Sequence, residues 1–138
     1  MAVIALCQFD LTRCFGYPYT KDKGASLGAP LIDHLVETYE NPPRSTVAQA
    51  YDFIIETLEE AVTLMSEEKN NGRMNKYAAR ALLARIYLYH DDNRKAFDLA
   101  DQLIKDADTS GSYALYPHEK YVAAWSVEAK FGSESFLR

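Results

Sequence analysis

The sequence has 138 residues, 48% of them hydrophobic and 25% charged, with a formal net charge of −5. That is enough chain for one domain with its own core, or for part of a larger one, and the composition is globular rather than disordered. The acidic balance, with no run of Lys or Arg, gives a nucleic-acid role no electrostatic support.

No apolar run approaches the length that spans a bilayer. The opening MAVIALCQFD looks a little like a signal peptide, but it has no basic start, and Gln8, Asp10 and Arg13 interrupt it. An amphipathic helix over 2–15 is the expectation, with no export signal. Leu6, Phe9, Leu11 and Phe15 supply its apolar bulk, and Gly16 is its stop. Cys7 and Cys14, seven residues apart, would stand about 10 Å apart on such a helix, too far to pair within it. They are expected to be buried free thiols that pack as small hydrophobes.

From 16 to 43 the pattern dissolves into Tyr-Pro-Tyr, Lys-Asp-Lys-Gly and Leu-Gly-Ala-Pro, closed by Asn41-Pro42-Pro43. An irregular, exposed and mobile loop is expected, longer than most loops in compact domains. A helix over 46–66 follows, with Thr46 and Gln49 placed for a capping box. Val47, Ala50, Tyr51, Ile54, Ile55, Leu58, Ala61, Val62 and Met65 lie on one face, and Asp52, Glu56, Glu59 and Glu60 on the other. Asn75 can cap a helix over 75–90 that is apolar nearly all round, apart from Arg80 and Arg85, and so belongs between neighbours. After a turn at 90–93, a helix over 93–106 carries Ala96, Ala100, Leu103 and, just beyond it, Ala107. Pro117 opens a shorter helix over 117–125 with Tyr121 and Trp125.

The helices at 75–90 and 93–106 have the size and small residues of a tetratricopeptide-like pair. Leu83, Ala84 and Tyr87 fit the first helix of that unit. Ala96 and Ala100 fit the second, with Leu103 in place of a further small residue and Arg80 in place of an aromatic. Small residues at a crossing let helix axes approach to the short end of 8–10 Å. A first pair can be drawn from 2–15 and 46–66. Two pairs fall short of the three or so that such stacks need, so the expected fold is all-α and part of a longer helical array.

Little points to catalysis. His34, His90 and His118 stand alone, with no second ligand at metal spacing. There is no nucleophile elbow and no Gly-rich phosphate loop. The carboxylates crowd a polar helix face, where nothing would tune them for acid–base work. No enzyme activity, metal or cofactor is expected. Asp10 and Arg13 read as an i,i+3 ion pair. Ten tyrosines and one tryptophan are many for this length. Tyr51, Tyr77, Tyr87 and Tyr89 are expected in the core, whereas Tyr17, Tyr19 and Tyr39, in the long loop, are weak candidates for stacking against sugar rings.

Several stretches together resemble the SusD/RagB family of outer-membrane glycan-binding lipoproteins. FDLTRCFGYPY at 9–19 is similar to that family's FDLVRLFG helix and following PY loop, and GASLGAPL at 24–31 to its GVP segment. PRSTV at 43–47 with Tyr51, Ile55 and LEEA at 58–61 resembles its next helix. GR at 72–73 with NKYAARALLARIYLY at 75–89 resembles the one after, and Glu134-Ser135-Phe136 the start of a further segment. Arg94 and Cys14 depart from the family's usual aromatic and aliphatic residues.

The resemblance implies a partial SusD-like fold of tetratricopeptide-like helix pairs in a protein held at the cell surface by a lipid anchor outside this sequence. It implies capture of oligosaccharides and their delivery to a TonB-dependent outer-membrane transporter, with most of the glycan site on segments outside 1–138. The alternative is a cytosolic tetratricopeptide adaptor gripping a peptide, for which no basic clamp emerges.

Overall fold

The computed structural model describes residues 1–69, 73–111, 113–114, 117–120 and 122. Four helices follow one another: α1 (Ala2–Phe15), α2 (Val47–Leu64), α3 (Lys76–Tyr89) and α4 (Asn93–Ser110). Between α1 and α2 lie a short 3-10 turn, Tyr19–Lys21, and an antiparallel hairpin of β1 (Leu27–Pro30) and β2 (Arg44–Thr46). Among the described residues the fold is therefore all-α apart from this hairpin. α1 packs on α2, α2 on α3 and α3 on α4, which makes two helix pairs side by side. The helix expected over 117–125 lies largely outside the described residues; within it, His118–Lys120 form a 3-10 turn.

The main core gathers Ala2, Ala5 and Phe9 from α1, Val47, Tyr51, Ile54, Leu58 and Ala61 from α2, Ala79, Leu82, Leu83, Ile86 and Tyr87 from α3, and Ala96 from α4. Burying side chains such as Phe9, Ile54, Leu58 and Ile86 stabilises the fold by about 1.5–3 kcal/mol each. A smaller cluster of Tyr77, Leu103, Ala107 and Tyr113 holds the far end of the α3–α4 pair. There the buried Asn75 caps α3 by accepting from the Ala78 N–H at 3.0 Å, and its amide donates to the Tyr113 hydroxyl at 2.8 Å.

The segment 16–43 is less irregular than expected, because it terminates α2. A helix start leaves four N–H groups without partners. The Val47 N–H donates to the Ser26 carbonyl and the Ala48 N–H to the Gly24 carbonyl, both at 2.9 Å. The Gln49 N–H donates to the Thr46 hydroxyl at 3.1 Å, and the Gln49 side chain accepts from the Thr46 N–H at 3.0 Å, completing a capping box. Gly24 sits at φ +76°, and a Cβ there would come within 2.7 Å of the Ala48 nitrogen. Arg44 adds hydrogen bonds to the Gly28 carbonyl at 2.7 Å and the Leu27 carbonyl at 3.0 Å.

Two expectations for α1 fail for one reason. Its core-facing stripe is Ala2, Ala5, Phe9 and Thr12. Cys7 and Cys14 each lie two residues, or about 200°, from a member of that stripe. Both thiols are exposed rather than buried, as are Leu11 and Phe15. α4 also runs on past 106, because its first left-handed residue is Gly111 at φ 63°.

Candidate functional site

Where α1 ends, the chain turns through Gly16-Tyr17-Pro18-Tyr19 and lays these residues against the start of α2 and the end of α3. The result is a cleft of about 280 Å³ lined by Thr12, Arg13, Cys14, Gly16, Tyr17, Pro18, Tyr19, Tyr51 and Tyr89. Its aromatic walls support one another edge to face. Tyr19 and Tyr51 have centroids 5.7 Å apart at 83°, and Phe9 lies behind Tyr89 at 5.4 Å and 89°. Such pairs add stability beyond their buried area and fix ring orientation. Behind Tyr19 the ring of His90 lies with its centroid at 4.2 Å, tilted by 44°.

Cations border these rings. The Arg13 guanidinium carbon is 4.9 Å from the centroid of Tyr89 and 5.3 Å from that of Phe9. Lys21 Nζ lies 3.1 Å above the ring of Tyr17. Burial raises the Tyr51 hydroxyl to about 12, with the Arg13 charge opposing the rise, so it stays protonated at neutral pH. Arg13 also makes the expected i,i+3 pair with Asp10, at 3.2 Å.

The structure thus brings Tyr17 and Tyr19 into one cleft and leaves Tyr39 out of it, 94% exposed on the segment before β2. Tyr17 is 57% exposed, and Tyr19 is half-buried. Tyr89, expected in the core, is 41% exposed and forms a wall. Arg13, Tyr51 and Tyr89 are lining residues that sequence reasoning missed. For Tyr89 a signal existed: Tyr87 and Tyr89 are about 200° apart on one helix and cannot share a face.

The residues expected at the α3–α4 crossing lie as follows. Leu83, Tyr87 and Ala96 are in the main core, Ala84 is buried, Ala100 is half-buried and Leu103 belongs to the smaller cluster. A second groove, about 440 Å³, runs between the outer face of α1 and residues 32–35, and is lined by Val3, Ile4, Cys7, Gln8, Leu11, Ile32, Asp33, His34 and Leu35. At its edge His34 bonds Asp33 at 2.6 Å and Glu40 at 2.8 Å, and these bonds, Asp33's first, raise its pKa. Among the described residues no group of three His, Cys, Asp or Glu side chains could hold a metal ion. No described helix is long and apolar enough to cross a membrane.

Four stacked helices, a capping hairpin and an aromatic cleft at the α1 turn describe a helical frame. The family of SusD-like proteins, described as starch-binding and associating with the outer membrane, matches residues 2–88, and the chain belongs to it. A SusD superfamily protein of Bacteroides vulgatus is 98% identical over 99% of this chain, with a TM-score of 0.95. A putative sugar binding protein of the same species is 42% identical over 96% of the chain, with a TM-score of 0.88. A SusD superfamily protein of Bacteroides thetaiotaomicron is 42% identical over 90%, with a TM-score of 0.83. The chain spans only 31%, 30% and 27% of these three proteins' own lengths. Among curated proteins none matches the chain. The family's description, starch-binding and associating with the outer membrane, does not point to the alternative of a cytosolic peptide adaptor.

Proposed function

We propose that this chain is the helical scaffold of a surface protein that captures oligosaccharides and hands them to a TonB-dependent transporter in the outer membrane. It acts by binding and positioning, without bond cleavage, and a lipid anchor outside 1–138 holds it at the surface. The observation that carries the reading is the 42% identity, over 96% of the chain, to a putative sugar binding protein, at a TM-score of 0.88. The frame suits the role. Two helix pairs share one core, and α2 is locked at its start by three separate acceptors. Such a platform holds loops and a partner-facing surface in fixed relation. The partial SusD-like domain, 1–138, supplies scaffold, and most of the sugar contacts come from the remainder of the longer polypeptide.

Calorimetric titration tests this. The full-length polypeptide carrying this sequence is titrated with starch, xylan, pectin and host-type oligosaccharides, beside the 138-residue chain. The full-length protein is expected to bind at least one class and release no products, and the chain to bind more weakly or not at all. A full-length protein that binds none of them overturns the proposal. So does product release abolished by changing one residue of this chain.

A further inference from the structure

We infer that the Tyr17–Tyr19 cleft is a subsite for an acidic sugar unit, a uronate or sialate, whose carboxylate is taken by Arg13. This rests on the reading of the chain as part of a carbohydrate-binding protein and adds a ligand class to it.

The cleft's size admits one ring. At about 280 Å³ it falls just under the roughly 300–1,000 Å³ of small-molecule pockets. Tyr17 offers more than half of its surface to solvent, and with Lys21 over one face of its ring it is the other face that would meet the apolar face of a pyranose.

The lining then selects the sugar. A sugar hydroxyl both donates and accepts, and the Thr and Tyr oxygens here can serve it either way, so what distinguishes one sugar from another in this cleft is charge. Neither a carboxylate nor an amide side chain is among the described residues that line this cleft. The Thr12 hydroxyl donates to the Gln8 carbonyl at 2.7 Å and keeps only neutral lone pairs to offer a ligand. Tyr51 remains a protonated phenol. Arg13 brings five donors and no acceptor. A lining with one cation and no anionic side chain suits a ligand that brings the anion.

Charge points the same way. The whole sequence carries −5, yet the rings of this cleft gather cations: Arg13 and Arg85 near Tyr89, at 4.9 and 6.0 Å, and Lys21 over Tyr17. The ring of Tyr89 holds the Arg13 guanidinium in place. Asp10 is the competing anion, but it meets one guanidinium nitrogen at 3.2 Å and is itself well exposed. An exposed i,i+3 pair of this kind is weak. A carboxylate that engages the fork with two parallel bonds can displace it.

The cleft contains its own reporter. Cys14 is exposed and lines it, whereas Cys7 is exposed in the separate groove. Alkylation of the two thiols by iodoacetamide is followed by mass spectrometry in the full-length polypeptide. The probes are oligogalacturonate against its methyl ester, and sialyllactose against lactose. At least one acidic probe is expected to slow Cys14 and spare Cys7, with its neutral counterpart ineffective and the effect reduced by salt. Arg13→Gln is expected to weaken binding of that probe about tenfold to a hundredfold, as for loss of a charge-assisted hydrogen bond. Arg13→Lys, which keeps the cation but loses the fork, should retain part of the preference.

The subsite is overturned if acidic glycans bind but leave Cys14 and the Arg13 variants at parental values, or if only neutral glycans bind. It is equally overturned if Cys14 is unreactive in the ligand-free protein, since the cleft is then covered. In those cases carbohydrate capture by the longer protein stands. If no glycan of either kind binds, that broader reading fails as well.

Discussion

The phenol of Tyr87, on α3, donates to the Glu59 carboxylate, on α2, at 2.5 Å. Tyr87 is buried and Glu59 exposed, so the bond joins the two helix pairs at the border between core and solvent. Tyr87→Phe keeps the ring and removes the donor. It should cost about 1–2 kcal/mol, less than a fully buried charged bond, because Glu59 remains solvated when the phenol is gone. Thermal melts check this, and a Tyr87→Phe protein that melts with the parent would show the bond to be idle.

Alkaline stability follows from the same region. Burial pushes Tyr51 from an ordinary 10.0 up to about 12, and burial followed by the Glu59 bond raises Tyr87 as well. Above about pH 10 the unfolded chain loses these phenolic protons while the folded chain keeps them. The folded state then binds more protons, so stability falls as pH rises through the interval from 10 to about 12. Denaturation midpoints across that interval should decline less steeply for Tyr51→Phe than for the parent. Parallel slopes would remove Tyr51 from the explanation.

The acid side has its own group. Asp106, on α4, is held below the usual carboxylate value by the bond from Arg80 on α3, and next by Gln102. A depressed folded-state pKa contributes stability that is present above the unfolded value of 3.8 and is lost as pH falls through the folded value. Asp106→Asn should therefore flatten the acid limb of the stability curve between about pH 5 and pH 2. Unfolding curves for the two proteins that keep a constant separation over that range would contradict it.

Ala84 follows Arg80 by one turn and Tyr77 by two, and both of those side chains reach α4 or the cluster it builds. We propose that Ala84 faces Ala96 where α3 and α4 cross. Ala84→Phe should then overpack the crossing at a cost of about 1–3 kcal/mol. The same change at the half-buried Ala100 should cost less. Equal melting midpoints for Ala84→Phe and parent would move the crossing elsewhere.

The helices were readable in the sequence because their signals are local. Thr46 with Gln49, and Asn75 before an apolar run, mark starts within one turn. The hairpin was not. LGAP at 27–30 is too short and too small-sided to carry a period, and its pairing depends on Thr46 and on Arg44 reaching back to carbonyls. Within the cleft, Tyr17 and Tyr19 announce themselves as aromatics flanking a proline. Arg13 does not. Its partner by sequence spacing is Asp10, whereas its position against Tyr89 exists only after α3 has folded onto α1. Cys7 and Cys14 face solvent against expectation because α1 carries apolar residues on both sides, and periodicity alone does not say which side faces the core.

The hairpin has one last consequence. Pairing Leu27 with Thr46 and Pro30 with Arg44 clamps the two ends of the span 31–43. What lies between is a closed circuit, and lengthening it beyond the residues 32–35 that face α1 should leave β1 and β2 in place. Doubling such a loop costs only about 0.6 kcal/mol in closure entropy. A peptide tag or a fluorescent reporter inserted near Tyr39 should be carried without disturbing the frame.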